Sequence, residues 1–190
     1  IIDIENSIKA QQSRGYEQWA KIHNLKQAAK TVNFLTEHKI EQYTDLVARI
    51  DEITAASEQA ADALKGVEKR LADMAVLIKN ITTYQKTKPV YEAYKKAKNK
   101  DLFRAAHESD LILYEAAAKA LRTANVENKL PSVATLQAEY VKLTEQKENL
   151  YADYRKLKKQ VKEYDTMKRN IDLILNTRQG QAQKKETTRE

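Results

Sequence analysis

The chain has no cysteine, two prolines, three glycines, two phenylalanines and one tryptophan in 190 residues. Without cysteine there is no disulfide, no thiolate nucleophile and no sulfur-ligated zinc, a composition that fits a reducing cytosol. So few backbone breakers leave room for few turns, and no glycine-rich phosphate loop is present. No run of about 18 apolar residues occurs, so no membrane span is expected. No signal peptide is visible, and the opening Ile1-Ile2-Asp3 reads as the start of an excised piece of a longer protein. The three histidines, His23, His38 and His107, have no companion ligands at metal-binding spacing, so no metal or other cofactor is expected. Catalytic residues are expected to be absent too, because neither the histidines nor paired carboxylates such as Asp51-Glu52 suggest a concave site.

What abounds is a heptad rhythm. One row runs Tyr43, Leu46, Ile50, Ile53, Ser57, Ala60, Leu64, Val67, Leu71, Met74, Ile78, Ile81. A second runs Leu136, Tyr140, Leu143, Lys147, Leu150, Tyr154, Leu157, Val161, Tyr164, Lys168, Ile171, Leu175. Steps of three and four alternate without a slip, which is the signature of a helix buried along one narrow stripe. Two rows of matched length predict an all-α fold, a long antiparallel two-helix coiled-coil hairpin formed by residues 42–86 and 132–177. Antiparallel pairing places Ile81 beside Leu136 and Tyr43 beside Leu175. It also sets Asp51, Glu52, Glu58 and Asp62 against Arg155, Lys156, Lys158, Lys159 and Lys162, which predicts an interhelical salt-bridge face there. A parallel dimer would place the acidic stretch beside its own copy.

The remaining segments surround that stalk. Residues 1–41 are read as N-terminal helices, with a break at Arg14-Gly15. Residues 16–37 are expected to pack at the stalk's base through Trp19, Ile22, Leu25, Ala29, Val32 and Leu35. Pro89 lacks an N–H and clashes with the preceding turn, so the first long helix is expected to end near Lys86. Residues 87–131 then form a small helical tip of three short helices, with Ser109 as an N-cap. Residues 178–190 are polar and are expected to be disordered.

The net charge is +7, and most of the excess lies in residues 85–104, with seven basic against two acidic side chains. Lys86, Lys88, Lys95, Lys96, Lys98, Lys100 and Arg104 are therefore candidate contacts to a polyanion. Tyr91 and Tyr94, among those lysines, are candidates to stack on unpaired bases. The competing reading makes these two rings part of the small core of the tip.

Three segments carry a resemblance. Gly15-Tyr16-Glu17-Gln18-Trp19-Ala20-Lys21-Ile22-His23-Asn24-Leu25-Lys26-Gln27 looks like the GYERWAKxxNLKQ stretch of relaxases from Gram-positive integrative conjugative elements. Val90-Tyr91-Glu92-Ala93-Tyr94-Lys95-Lys96-Ala97 is similar to their VYxAYRKA segment. Leu130-Pro131-Ser132-Val133-Ala134-Thr135-Leu136-Gln137-Ala138-Glu139-Tyr140 is similar to their LPTVKSLQAEY segment. The resemblance implies the non-catalytic C-terminal helical region of a relaxase, located in the bacterial cytoplasm. It would contact single-stranded or hairpin DNA at a transfer origin. The alternative it implies is a stalk that docks the relaxase to a coupling protein or an accessory factor, for which an exposed patch around Trp19, Val32 and Leu35 would speak. A tRNA-binding hairpin arm of a synthetase is a further reading, and the 45-residue tip weighs against it.

Overall fold

The computed structural model describes residues 1–126 and 129–187, with side chains through residue 176. The described residues are all-helical and contain no strand. Six helices follow in order: α1 (Ile8–Gln12), α2 (Arg14–Glu37), α3 (Tyr43–Lys96), α4 (Lys100–Ala106), α5 (Glu108–Thr123) and α6 (Val133–Thr187). The backbone of α6 continues past the end expected near residue 177. The expected disordered tail, 178–190, lies outside the residues whose side chains are described. The chain divides into two compact units: Ile1–Gln59 with the segment from Asp153 onward, and Ala60–Ala152.

The first unit contains α1, α2, the start of α3 and the later part of α6. Its core is Phe34 of α2, Leu46 and Ile53 of α3, and Tyr164 and Met167 of α6. Leu35, Ile40, Ile50, Leu157, Val161 and Ile171 close around it. The ring of Phe34 meets Tyr164 edge-on, with centroids 4.8 Å apart, the orientation that the ring quadrupoles favour. Tyr43 donates to Asp172 across 2.7 Å. Lys168 reaches the same carboxylate at 3.0 Å and lies over the Tyr43 ring. The hydrogen bond from Tyr43, and then that from Lys168, hold the Asp172 carboxyl below its ordinary range. Lys168, a polar interruption of the heptad row, is thus accommodated by a local pair.

The lysines of the basic run of α6 do not make the salt-bridge face expected with Asp51, Glu52 and Glu58 among the described residues. Lys156, Lys158, Lys159 and Lys162 are exposed and form no ion pair there, whereas Glu52 binds Arg49 one turn away on its own helix. An exposed interhelical pair gains little Coulomb energy in water and must immobilise two long side chains, so local i,i+3 partners compete successfully.

In the second unit, Val67, Leu71 and Leu143 form one cluster, backed by Met74 and Leu150. Ile81, Leu121 and Leu136 form another, joined by Leu77, Ile78, Tyr84, Val126, Leu130 and Val133. Ile81 and Leu136 thus meet as the heptad rows predict. Lys147 pairs with Glu68 at 3.0 Å, and Arg70 lies 3.9 Å from Glu139. Within this unit, residues later in α3 meet residues earlier in α6.

Pro89 does not end a helix. It sits inside α3, and the boundary expected at residues 86/87 falls within a continuous helix. Pro89 and Gln85, whose carbonyl loses its intrahelical partner, both face solvent, so water can replace the missing donor. The break expected at Arg14-Gly15 moves to Ser13, whose hydroxyl caps α2 by accepting from the Tyr16 N–H, and Gly15 lies in the first turn. The expected cap at Ser109 also shifts: α5 begins at Glu108 after His107, without a side-chain cap.

Two turns share one geometry. After α2, the Ile40 N–H returns to the Leu35 carbonyl and the Lys39 N–H to that of Thr36, with Lys39 at φ 55°. After α5, Val126 returns to Leu121 and Asn125 to Arg122, with Asn125 at φ 56°. Both are Schellman closures sealed by an apolar contact, a motif whose left-handed residue is usually glycine. Asn tolerates that conformation better than Lys. Lys39→Gly should therefore raise stability by about 0.5–1 kcal/mol. A thermal melt should show a midpoint a few degrees higher, and a lowered midpoint would contradict the assignment.

Candidate nucleic-acid interface

The basic segment spans the last turns of α3, the linker 97–99 and α4. Asn99 starts α4 by accepting from the Leu102 N–H at 3.0 Å. The arrangement is organised by three tyrosines. Tyr114 of α5 stacks on Tyr84 at 5.1 Å and on Tyr91 at 4.1 Å, with interplanar angles of 23° and 16°. Tyr84 and Tyr91 are seven residues apart on α3, one before Pro89 and one after it. A single ring on α5 thus bridges the helix turns on either side of the proline. Burial, and then hydrogen bonding with Tyr84, push the Tyr114 phenol well above its ordinary pKa. It stays protonated at neutral pH.

Both candidate stacking residues are half-buried. One face of Tyr91 is covered by Tyr114, and Lys95 lies 5.4 Å from its centroid. Tyr94 lies near Phe103 at 6.2 Å and near the ammonium of Lys100. Each ring thus packs against aromatic neighbours while part of its surface stays in water.

The seven basic candidates separate into two groups. Lys95 is bound to Glu92 at 2.8 Å; this hydrogen bond lowers the Glu92 pKa and raises that of Lys95. Arg104 lies 3.3 Å from Glu115, and hydrogen bonding to Tyr94, then the charge of Glu115, raise its pKa further. Lys86, Lys88, Lys96, Lys98 and Lys100 are exposed and make no ion pair among the described residues. Lys88 lies over Tyr84. All seven cations are thus exposed, five of them without an ion pair among the described residues and two paired with acidic neighbours. Among the described residues no group of three or more His, Cys, Asp or Glu is placed to hold a metal, and no helix is long and apolar enough to cross a membrane.

The α2 helix departs furthest from expectation. Trp19, Ile22, Leu25 and Val32 are 52%, 54%, 72% and 60% exposed, and of the predicted packing face only Leu35 joins the core margin. The inward row is instead Ala20, Asn24, Gln27, Thr31 and Phe34. Thr31 is buried and accepts from Asn170 of α6, also buried, at 3.0 Å. Asn24 clamps the backbone of Ile2 with two hydrogen bonds of 2.7 Å. The same alternating step was present in the sequence, but on polar residues, which composition alone assigns to the outside.

Comparison with protein-family models, with curated proteins and with solved structures gave no match.

Replacing Tyr114 by Ala should remove the bridge over Pro89 and cost about 2 kcal/mol, below the range for a fully buried aromatic because the ring is half-covered. Tyr114→Phe keeps the stack and should lose under about 1 kcal/mol. Urea denaturation followed by circular dichroism separates the two, and equal losses would show that the ring stack is not the stabilising element.

Proposed function

We propose that this chain is a non-catalytic nucleic-acid-binding module that grips DNA phosphates through the lysines around the end of α3 and the start of α4. The observation that carries this reading is the set of five exposed lysines without ion pairs, held around a braced tyrosine stack. A sequence-independent grip on phosphates needs cations in solvent on a firm support and no base-reading groups. The tyrosines act as that support. The setting, an accessory region of a conjugative relaxase acting on transfer-origin DNA, rests on the resemblance of residues 15–27, 90–97 and 130–140.

We further propose that α3 and α6 pair along their heptad rows as one antiparallel coiled-coil hairpin that carries the basic segment. The order of contacts within the second unit supports this, with Glu68 at Lys147 and Ile81 at Leu136. A zero-length carbodiimide reagent should join Lys147 to Glu68 within a single chain, as read by mass spectrometry of the monomer band. A link found only between two chains would overturn the hairpin.

Fluorescence anisotropy with a 20-nucleotide single strand tests the grip itself. Lys96→Glu, Lys98→Glu and Lys100→Glu together should weaken binding more than tenfold at low salt. They should also reduce the log–log salt slope by about 2, at roughly 0.7 per phosphate contact. Reversing Lys156, Lys158 and Lys159 on α6 is the matched control. Equal losses from both triples would mean diffuse charge rather than a site.

A further inference from the structure

The outward face of α2 is the least expected surface of the first unit. Ile22, Leu25, Ala29, Val32 and Thr36 follow one another by three, four, three and four residues, the spacing of a second heptad stripe. Ile22, Leu25 and Val32 are each more than half exposed, while the polar row on the opposite side is the one packed inward. A stripe of this spacing matches the knobs of one partner helix. An aliphatic row left in water is the mark of a surface that is covered in use. Trp19 stands at its upper edge, with its ring against Tyr16 and His23. Beside Leu25 the surface dips into a groove of about 590 Å³ lined by residues 1–5 and by Glu17, Lys21, Asn24, Ala28 and Ile174, whose charged side chains are Asp3, Glu5, Glu17 and Lys21.

Charge says what kind of helix fits. Between Gln18 and Thr36, α2 carries Lys21, Lys26 and Lys30 and no acidic residue. Lys26 flanks the stripe on one side and Lys21 on the other, and Lys21 is already held by Glu17. A second copy laid parallel along the same face would set Lys21 against Lys26, like charges beside a seam, and one laid antiparallel would offer neither lysine an acidic partner beside the stripe. From this we infer that the outer face of α2 is a docking surface for an amphipathic helix of a partner protein whose apolar stripe is flanked by glutamate or aspartate. This surface shares no residue with the proposed DNA grip, so each stands or falls alone.

The probe is a labelled 28-residue peptide with leucine at heptad positions a and d and glutamate at e and g, whose own charges keep it monomeric. A matched peptide with lysine at e and g is the comparison. The full chain should bind the acidic peptide, with a rise in helicity, and bind the basic one at least tenfold more weakly. Leu25→Gln with Val32→Gln should reduce acidic-peptide binding at least tenfold while leaving the melting temperature unchanged, because both side chains are in water already. The Lys96, Lys98 and Lys100 charge-reversal variant should retain binding, which separates this face from the basic segment. No binding of the acidic peptide, equal binding of both peptides, or loss only in the lysine variant would each overturn the proposal. So would a dimer in sedimentation that Leu25→Gln with Val32→Gln dissolves, since that outcome makes a second copy the occupant.

Discussion

Burial of narrow aliphatic rows is the constraint from which the rest of this chain follows. Helices as long as α3 and α6 cannot rely on propensity alone, and tertiary contact along the stripe supplies most of their stability. Each described unit covers its share of the stripe differently. In the first unit, α2 adds Phe34 to the row formed by Leu46, Ile53, Tyr164 and Met167. In the second, α5 adds Leu121 to Ile81 and Leu136. Because a heptad stripe occupies little of a helix's circumference, most of the surface is left to polar and charged residues. A chain that is 32% charged can therefore still have a core.

The basic segment is a second consequence. Lysines gathered in one place repel one another, and a braced scaffold is needed to hold them together. The stack of Tyr84, Tyr114 and Tyr91 supplies it, and two cations are neutralised locally by Glu92 and Glu115. The lysines left over are exposed on a support that spans a proline. Pro89 is tolerated for a geometric reason: the lost hydrogen bond faces water, while the rings on the opposite side hold both turns.

Much was legible beforehand. The heptad rows announced an all-helical chain and the meeting of Ile81 with Leu136, because a period of 3.5 residues has one physical use. The end of α2 at residue 37 was legible, although nothing local marked Lys39 as a left-handed residue. Less legible was the fate of Pro89, since a proline's cost depends on which way its neighbour's carbonyl points. The salt-bridge face assigned to Lys156, Lys158, Lys159 and Lys162 failed for a similar reason: matched charges along two rows do not say whether the side chains meet or turn to nearer partners.

The sequence by itself determined helix content, the two aliphatic rows and the clustering of basic charge, because each is a property of spacing along one chain. Tertiary structure decided which face of α2 turns inward. Hydropathy favours the row of Ile22, Leu25 and Val32, yet the buried row contains Asn24, Gln27 and Thr31. A polar row can be buried only when its partners are already in place, and here they come from Asn170, 139 residues away from Thr31, and from the backbone of Ile2. The Schellman turn at Lys39 then joins α2 to α3 with Leu35 and Ile40 sealed against the core. A hydrogen bond to a distant residue has no period to read, and this is why the outward apolar stripe became visible only in three dimensions.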